Sequence, residues 1–179
     1  MGSKHTVLYE GKFLKLFQYR GWEFVKRNDC TGIVVIAAMT DDHRVIFVEQ
    51  HRVPLDQNVI ELPAGLVGDT RASRKETMAS AAKRELLEET GYQARSMSFI
   101  LEGPVSSGMS AQTIAFYRAS GLKKVSAGGG DETENIKVHA IPLAKAEAWL
   151  FGMRKKGKLL DPKVFVGLYF LRQSKRTAK

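Results

Sequence analysis

The chain has 179 residues, 44% hydrophobic and 26% charged, with a net charge of +9 and one cysteine. That is enough chain to bury a single core without staples. The lone Cys30 excludes an intramolecular disulfide, and no window holds the roughly 20 apolar residues of a membrane span, so a cytoplasmic protein is expected. The positive charge suits phosphate-bearing ligands, which it would concentrate near the surface, and suits a solvated basic tail equally well.

The first third reads as strands. VLYEGKFLKLFQYR (7–20) alternates in part and breaks at Gly11, and GWEFVKR (21–27) follows one tight bend. TGIVVIAAM (31–39) is an unbroken, largely β-branched run, the mark of a buried strand. DDH (41–43) signals a turn into RVIFVEQHR (44–52), so these two runs are expected to pair as a hairpin. NVIELP (58–63) reads as a further strand ended by Pro63 and Gly65.

Helical character is expected from Ser73 to Thr90, with Gly91 as a left-handed stop. Strands return at 97–103, 113–120 and 135–143, and helices are expected over 144–157 and 161–173, the last with Asp161 as N-cap and Pro162 in its first turn. The loop AGGGDETE (127–134), glycine-rich and then acidic, is too distinctive for a plain connection.

Ala81 to Tyr92, AAKRELLEETGY, gathers Glu85, Glu88 and Glu89 around Arg84, with Glu76 a little upstream. Residues four apart share a helix face, so Glu85 and Glu89 point the same way, Glu88 lies beside them, and Arg84 and Glu88 can pair. Like charges at this spacing repel, and oxygen donors of this type suit a hard divalent cation.

From Glu76 through Arg84-Glu85-Leu86-Leu87-Glu88-Glu89-Thr90-Gly91-Tyr92 the sequence resembles the signature of the Nudix hydrolases. In the family five residues separate the leading glycine from the first glutamate; here ten separate Gly65 from Glu76, which reads as a five-residue insertion in the intervening loop. VEQHRVPLDQNVIELPAGLVGD, GWEFVKR and GKLLDPKVFVGLYFL resemble the branch that cleaves ADP-ribose and nucleoside diphosphate sugars. The resemblance implies an α+β fold, an α/β/α sandwich with a mixed sheet, preceded by an N-terminal antiparallel sheet. It divides the chain into N-terminal strands (1–30), for base recognition and dimer contact, and a hydrolase domain (31–179).

The same resemblance implies the site. Glu85 and Glu89, with the backbone carbonyl of Ala64, would ligate Mg²⁺, or Mn²⁺ as an alternative, and Glu88 would assist, held by Arg84. Glu132 would be the general base on the acidic loop, with Glu134 its neighbour or a further ligand. Trp22 would stack on the nucleobase, Glu23 would accept hydrogen bonds from base or ribose, Arg27 and Arg52 would meet phosphate, and Gly108 and Met109 would border the substrate. A homodimer with a composite site is implied, with nucleoside diphosphate sugars as small-molecule partners and neither membrane nor nucleic acid. Where enzymes for ADP-ribose carry a proline, fifteen residues past Tyr92, this chain has Ser107, which points to a wider range of diphosphate sugars. The alternatives are a hydrolase of nucleoside triphosphates, dinucleoside polyphosphates or RNA 5′ ends, and, more remotely, a silent sensor of nucleotide sugars.

Overall fold

The computed structural model describes residues 5–68, 73–130 and 135–173. At the N-terminus, β1 (Thr6–Glu10), β2 (Leu14–Tyr19) and β3 (Trp22–Arg27) form a three-stranded antiparallel sheet in that order. Tyr19 pairs with Trp22 across Arg20-Gly21, both at positive φ (49° and 80°), as a tight two-residue hairpin turn requires.

Two four-stranded sheets follow. One runs β7-β4-β9-β8, built from β4 (Gly32–Ala38), β7 (Ala64–Val67), β8 (Tyr92–Pro104) and β9 (Thr113–Lys124). The other runs β10-β5-β6-β11, from β5 (Arg44–Arg52), β6 (Gln57–Glu61), β10 (Lys137–Pro142) and β11 (Leu159–Leu160). Both are mixed, since β4 runs parallel to β9 and β6 parallel to β11.

Three helices cover them. On one side α1 (Met78–Thr90) places Ala81, Ala82 and Leu86 against Val34, Ile36 and Ala38 of β4. On the other, α2 (Ala146–Lys155) and α3 (Lys163–Gln173) place Leu150, Val164 and Leu168 against Val35, Ala37 and Phe47. Alternate residues of β4 thus enter opposite cores, which is why its sequence is apolar throughout. The layers are the expected α/β/α sandwich.

Several expectations need correction. The 31–39 and 44–52 runs do not form a shared hairpin ladder. The turn forms, with Thr40 N–H on Arg44 O and His43 N–H on Thr40 O, both at 2.9 Å. Beyond an isolated Met39–Val45 bridge, however, β4 pairs with β7 and β9, and β5 with β10 and β6. An apolar run reports burial and carries no information about which edges it pairs.

Helix α1 starts at Met78 and not at Ser73. Thr77 caps it, its hydroxyl accepting the Ser80 N–H at 3.1 Å, while Ser73–Glu76 close a separate turn through Glu76 N–H on Ser73 O at 2.9 Å. The strand over 58–63 does end before Pro63, since β6 stops at Glu61, but Gly65 stops nothing: it lies inside β7, which forms at once, and Ile36 N–H takes Pro63 O at 2.8 Å. β8 and β9 extend well beyond their apolar centres, to 13 and 12 residues. The short β11 carried no signal. At α3 the capping expectation holds, with Asp161 Oδ1 accepting the Lys163 N–H at 2.8 Å.

Candidate active site

Arg84 organises the carboxylates of α1. Its Nε and Nη2 donate to the two oxygens of Glu76 at 3.2 and 2.9 Å, and Nη1 donates to Glu85 Oε1 at 2.9 Å and Glu88 Oε2 at 3.0 Å. Nη2 also reaches Leu66 O at 3.1 Å. The like-charge repulsion expected along the helix is relieved by this one guanidinium. Its pKa is held above the ordinary arginine value by the Glu76 bond first, against the opposing effect of burial, with Glu85 and Glu88 adding to the rise. Glu76 is held below the usual carboxylate range by the Arg84 bond, which outweighs its burial, and by the Gly68 N–H, which donates to Oε1 at 3.3 Å.

Glu76 therefore lies off the helix and anchors Arg84; the structure pairs it with the guanidinium from the turn before the N-cap. Glu89 is 4% exposed and accepts the Ala64 N–H at 3.1 Å, bringing the first residue of β7 under the last turn of α1. Gly65 makes this approach sterically possible. A Cβ there would sit 1.9 Å from the carboxyl carbon of Glu85. The glycine of LPAG thus has a reason to be glycine, namely the close passage of backbone beneath a carboxylate.

These residues face a cleft with two adjoining lobes. The acidic lobe, about 850 Å³, is lined by Ala64, Gly65, Glu76, Arg84, Glu85 and Glu88 among others. The second, about 1030 Å³, is walled mostly by apolar groups, including Leu55, Val59, Leu101, Pro104, Leu160 and Val166. Arg27, Arg52, Glu61 and Lys163 line both lobes and form a waist between them. Arg52 is oriented by Glu61, with Nε and Nη2 on Oε2 at 2.8 and 2.7 Å. Burial pushes the Glu61 carboxyl above its ordinary value in spite of Arg52.

The structure brings Ala64, Glu85, Glu88, Arg84, Arg27 and Arg52 to this cleft, with Glu89 packed beneath at Ala64. Trp22, Glu23, Gly108 and Met109 are outside the lining of either lobe. Trp22 is 63% exposed at the start of β3, with Gly108 alongside: a Cβ there would lie 3.9 Å from the indole. The 106–111 segment docks on β3 through Val25 N–H on Met109 O at 2.8 Å and Ala111 N–H on Val25 O at 3.1 Å. Glu132 and Glu134 lie outside the described residues. Glu61 and Lys163 are cleft residues to which the sequence reading gave no role. Both stand in phrases quoted for the resemblance, IELPAG and GKLLDPK, and that was the available signal.

Residues 31–160 match the model of the NUDIX domain family. The chain belongs to the Nudix family. Its relatives include a methanol dehydrogenase activator of Bacillus methanolicus, 32% identical over 78% of this chain and 71% of that protein. An ADP-ribose pyrophosphatase of Bacillus subtilis is 32% identical over 64% of this chain and 60% of its own length, and a GDP-mannose pyrophosphatase of Citrobacter koseri is 29% identical over 80% and 74%. The crystal structure of an ADP compounds hydrolase superposes with a TM-score of 0.70 over 98% of this chain and 95% of that one, at 19% identity, a likeness of fold.

The donors on the Nudix helix fit a divalent metal in kind. They are hard carboxylate oxygens, with backbone of β7 brought against them by Gly65 and the Glu89–Ala64 bond. Among the described residues no three acidic, histidine or cysteine side chains converge into a ready-made metal cage, and a cation, the Arg84 guanidinium, stands between Glu85 and Glu88. A bound metal would share these carboxylates with Arg84.

Proposed function

We propose that this Nudix hydrolase cleaves the diphosphate bond of ADP-ribose and other nucleoside diphosphate sugars, in a reaction that requires Mg²⁺, with Mn²⁺ as an alternative. The observation that carries the reading is the two-lobed cleft, in which an acidic lobe and a larger apolar lobe meet at a waist bearing Arg27, Arg52 and Lys163. A diphosphate sugar has this pattern of demands: its two phosphates seek fixed cations and its two flanking groups need room on either side. The ADP-ribose and GDP-mannose pyrophosphatases among the relatives support the same substrate class.

In this reading Glu85, Glu89 and the Ala64 carbonyl hold the metal, and Glu88 assists. Mg²⁺ held there would supply Lewis-acid polarisation of the attacked phosphorus and neutralise charge on the diphosphate. Arg84 keeps Glu85 and Glu88 oriented while staying outside the chemistry. Arg27 and Arg52 fix the phosphates, and Glu61 aims Arg52. Glu132, with Glu134 beside it in sequence, takes a proton from water as the water oxygen bonds to phosphorus. The bond from that phosphorus to the bridging oxygen breaks, and the departing phosphate leaves as a monoester. The products are a nucleoside monophosphate and a sugar phosphate. Trp22 and Glu23, with Gly108 and Met109 beside them, lie outside the cleft of their own copy. In a composite site between two copies Trp22 would stack on the base in the paired copy's cleft, Glu23 would accept hydrogen bonds from base or ribose, and Gly108 and Met109 would border the ligand. Ser107, in place of a proline, keeps the range of sugars broad.

The N-terminal sheet exposes Val7, Tyr9, Phe13, Leu14 and Trp22, an apolar surface that supports pairing of two copies through the 1–30 strands. No helix among the described residues is long and apolar enough to cross a membrane. The single free Cys30 supports a reducing, cytoplasmic setting.

Chromatographic product analysis tests the proposal, using Mg²⁺ with ADP-ribose, GDP-mannose, a UDP-sugar, ATP, a diadenosine polyphosphate and triphosphorylated RNA. Monophosphate plus sugar phosphate from the first three substrates is expected. Cleavage confined to ATP, the dinucleotide or RNA would replace the substrate class, and no cleavage of any would overturn the activity.

A further inference from the structure

The C-terminal end of α1 is closed by one short stretch of chain, residues 124–130. A helix ends with carbonyls that lack partners within it. Here Gly91 N–H meets Leu87 O at 2.8 Å, Gly130 N–H meets Glu88 O at 3.2 Å and Gly129 N–H meets Glu89 O at 2.9 Å. Lys124 Nζ takes Thr90 O at 2.6 Å, and Val125 and Ser126 N–H share Gly91 O at 2.9 and 3.3 Å.

Topology explains how so complete a cap arises. Strand β8 leaves the helix directly and β9 returns antiparallel to it, so that Tyr92 and Lys124 are register partners. The chain leaving β9 must therefore cross the helix end. Gly128, at φ +73°, lets it pass: a Cβ would fall 2.4 Å from Thr90 C and 2.6 Å from Gly91 N. Lys124 holds the crossing in place. Its ammonium bridges Thr90 O and, at 3.1 Å, Ala127 O, and lies 4.7 Å from the centroid of the Tyr92 ring. A cation at a helix C-terminus also complements the helix dipole. Burial lowers the pKa of this lysine, so the contact is kept against a desolvation cost.

Two of the capped carbonyls belong to Glu88 and Glu89. We propose that Lys124 is a positioning residue for the metal end of the site. By clamping the 125–130 crossing to the last turn of α1, it fixes the placement of Glu88 and Glu89. The inference rests on reading Glu88 and Glu89 as metal ligands.

The test compares wild type, Lys124→Met and Lys124→Arg by Mn²⁺ binding to the substrate-free protein, followed by electron paramagnetic resonance of unbound Mn²⁺, and by turnover of ADP-ribose. Groups that orient metal ligands typically contribute 10–100-fold to affinity or rate, so Lys124→Met is expected to weaken Mn²⁺ binding by about tenfold and to lower kcat, with KM little changed. Lys124→Arg should restore most of both, because a guanidinium can still span two carbonyls. Wild-type Mn²⁺ affinity and kcat in Lys124→Met, even with a lowered Tm, would overturn the proposal and leave the proposed function standing. Should Lys124→Met fail to fold, Lys124→Gln is read by the same two criteria. A wild-type protein that neither binds Mn²⁺ nor cleaves a diphosphate sugar would overturn both.

Discussion

Arg84 and Glu76 share a two-armed ion pair across the start of a helix, with Nε to Oε2 at 3.2 Å and Nη2 to Oε1 at 2.9 Å, although Glu76 precedes the N-cap and Arg84 lies in the second turn. Two parallel bonds fix the plane of a guanidinium as well as its position. The remaining arm, Nη1, is thereby aimed at Glu85 and Glu88. Glu76→Gln should loosen the whole arrangement. Because Arg84 stays partly in contact with water, a loss of about 1–2 kcal/mol is expected in urea unfolding. Turnover should fall about tenfold or more, as it does when groups orienting ligands are removed. Unchanged turnover would show that Glu85 and Glu88 do not depend on this pair.

Gly65→Ala addresses the close approach of β7 to α1. The added methyl would meet the Glu85 carboxyl at 1.9 Å, and the flexible carboxylate would have to move aside. Activity should drop steeply while stability changes by no more than about 1 kcal/mol, the range of a substitution absorbed by a movable side chain. A kcat assay beside a thermal melt separates the two effects. A stable variant with full activity would contradict the assignment of Glu85 to the reacting end of the cleft.

Trp22→Ala concerns the opposite side of the substrate. Removing an exposed indole costs the fold little, whereas losing a stacking face should weaken nucleotide binding by about 1–3 kcal/mol. KM for ADP-ribose is therefore expected to rise, with kcat nearly unchanged. Equal KM values would leave Trp22 as a surface aromatic of the N-terminal sheet.

Glu49 provides a pH test remote from the cleft. Its carboxylate meets Lys158 at 2.8 Å and His139 at 3.0 Å. Burial alone would raise its pKa, but the bonds from Lys158 and His139 prevail and hold it below the ordinary value of 4.5. A carboxyl depressed on folding stabilises the native state above its unfolded pKa, and that contribution is lost as pH falls through the lower, folded pKa. Tm should therefore decline on acidification below about pH 4.5, and Glu49→Gln should be less stable at neutral pH and show a shallower decline. Parallel Tm profiles for the two proteins would contradict the assignment.

Much of this organisation was legible in the sequence because it is local. Four-residue spacing sets Arg84 against Glu88, and they pair at 3.0 Å; a glycine after the last helical residue marks a stop, and Gly91 adopts φ +69°. Long-range choices were less visible. β4 and β5 lie on either side of a correctly read turn yet enter different sheets, because burial of both faces is encoded in composition while edge pairing is not. Glu76 falls outside the helix because Thr77 caps it first, and one hydroxyl cap outweighs the helix propensity of Arg74 and Lys75. The waist of the cleft joins Arg27 of β3, Glu61 of β6 and Lys163 of α3, a meeting that no spacing along the chain foretells. The glycine tract stands out in the sequence, but its use as a cap on α1 depends on the Tyr92–Lys124 register.

The most direct test of the central claim is Mg²⁺-dependent turnover of ADP-ribose by wild type and by Glu89→Gln, measured side by side. Glu89 is nearly isosteric with glutamine, and the Ala64 N–H can still be accepted by the amide oxygen, so the fold should survive. The wild type is expected to release AMP and ribose 5-phosphate only when Mg²⁺ is present, and Glu89→Gln to lose about 10²-fold or more of kcat, the upper end of what a ligand's surroundings alone contribute. Turnover that ignores Mg²⁺, or that Glu89→Gln leaves intact, would contradict the account.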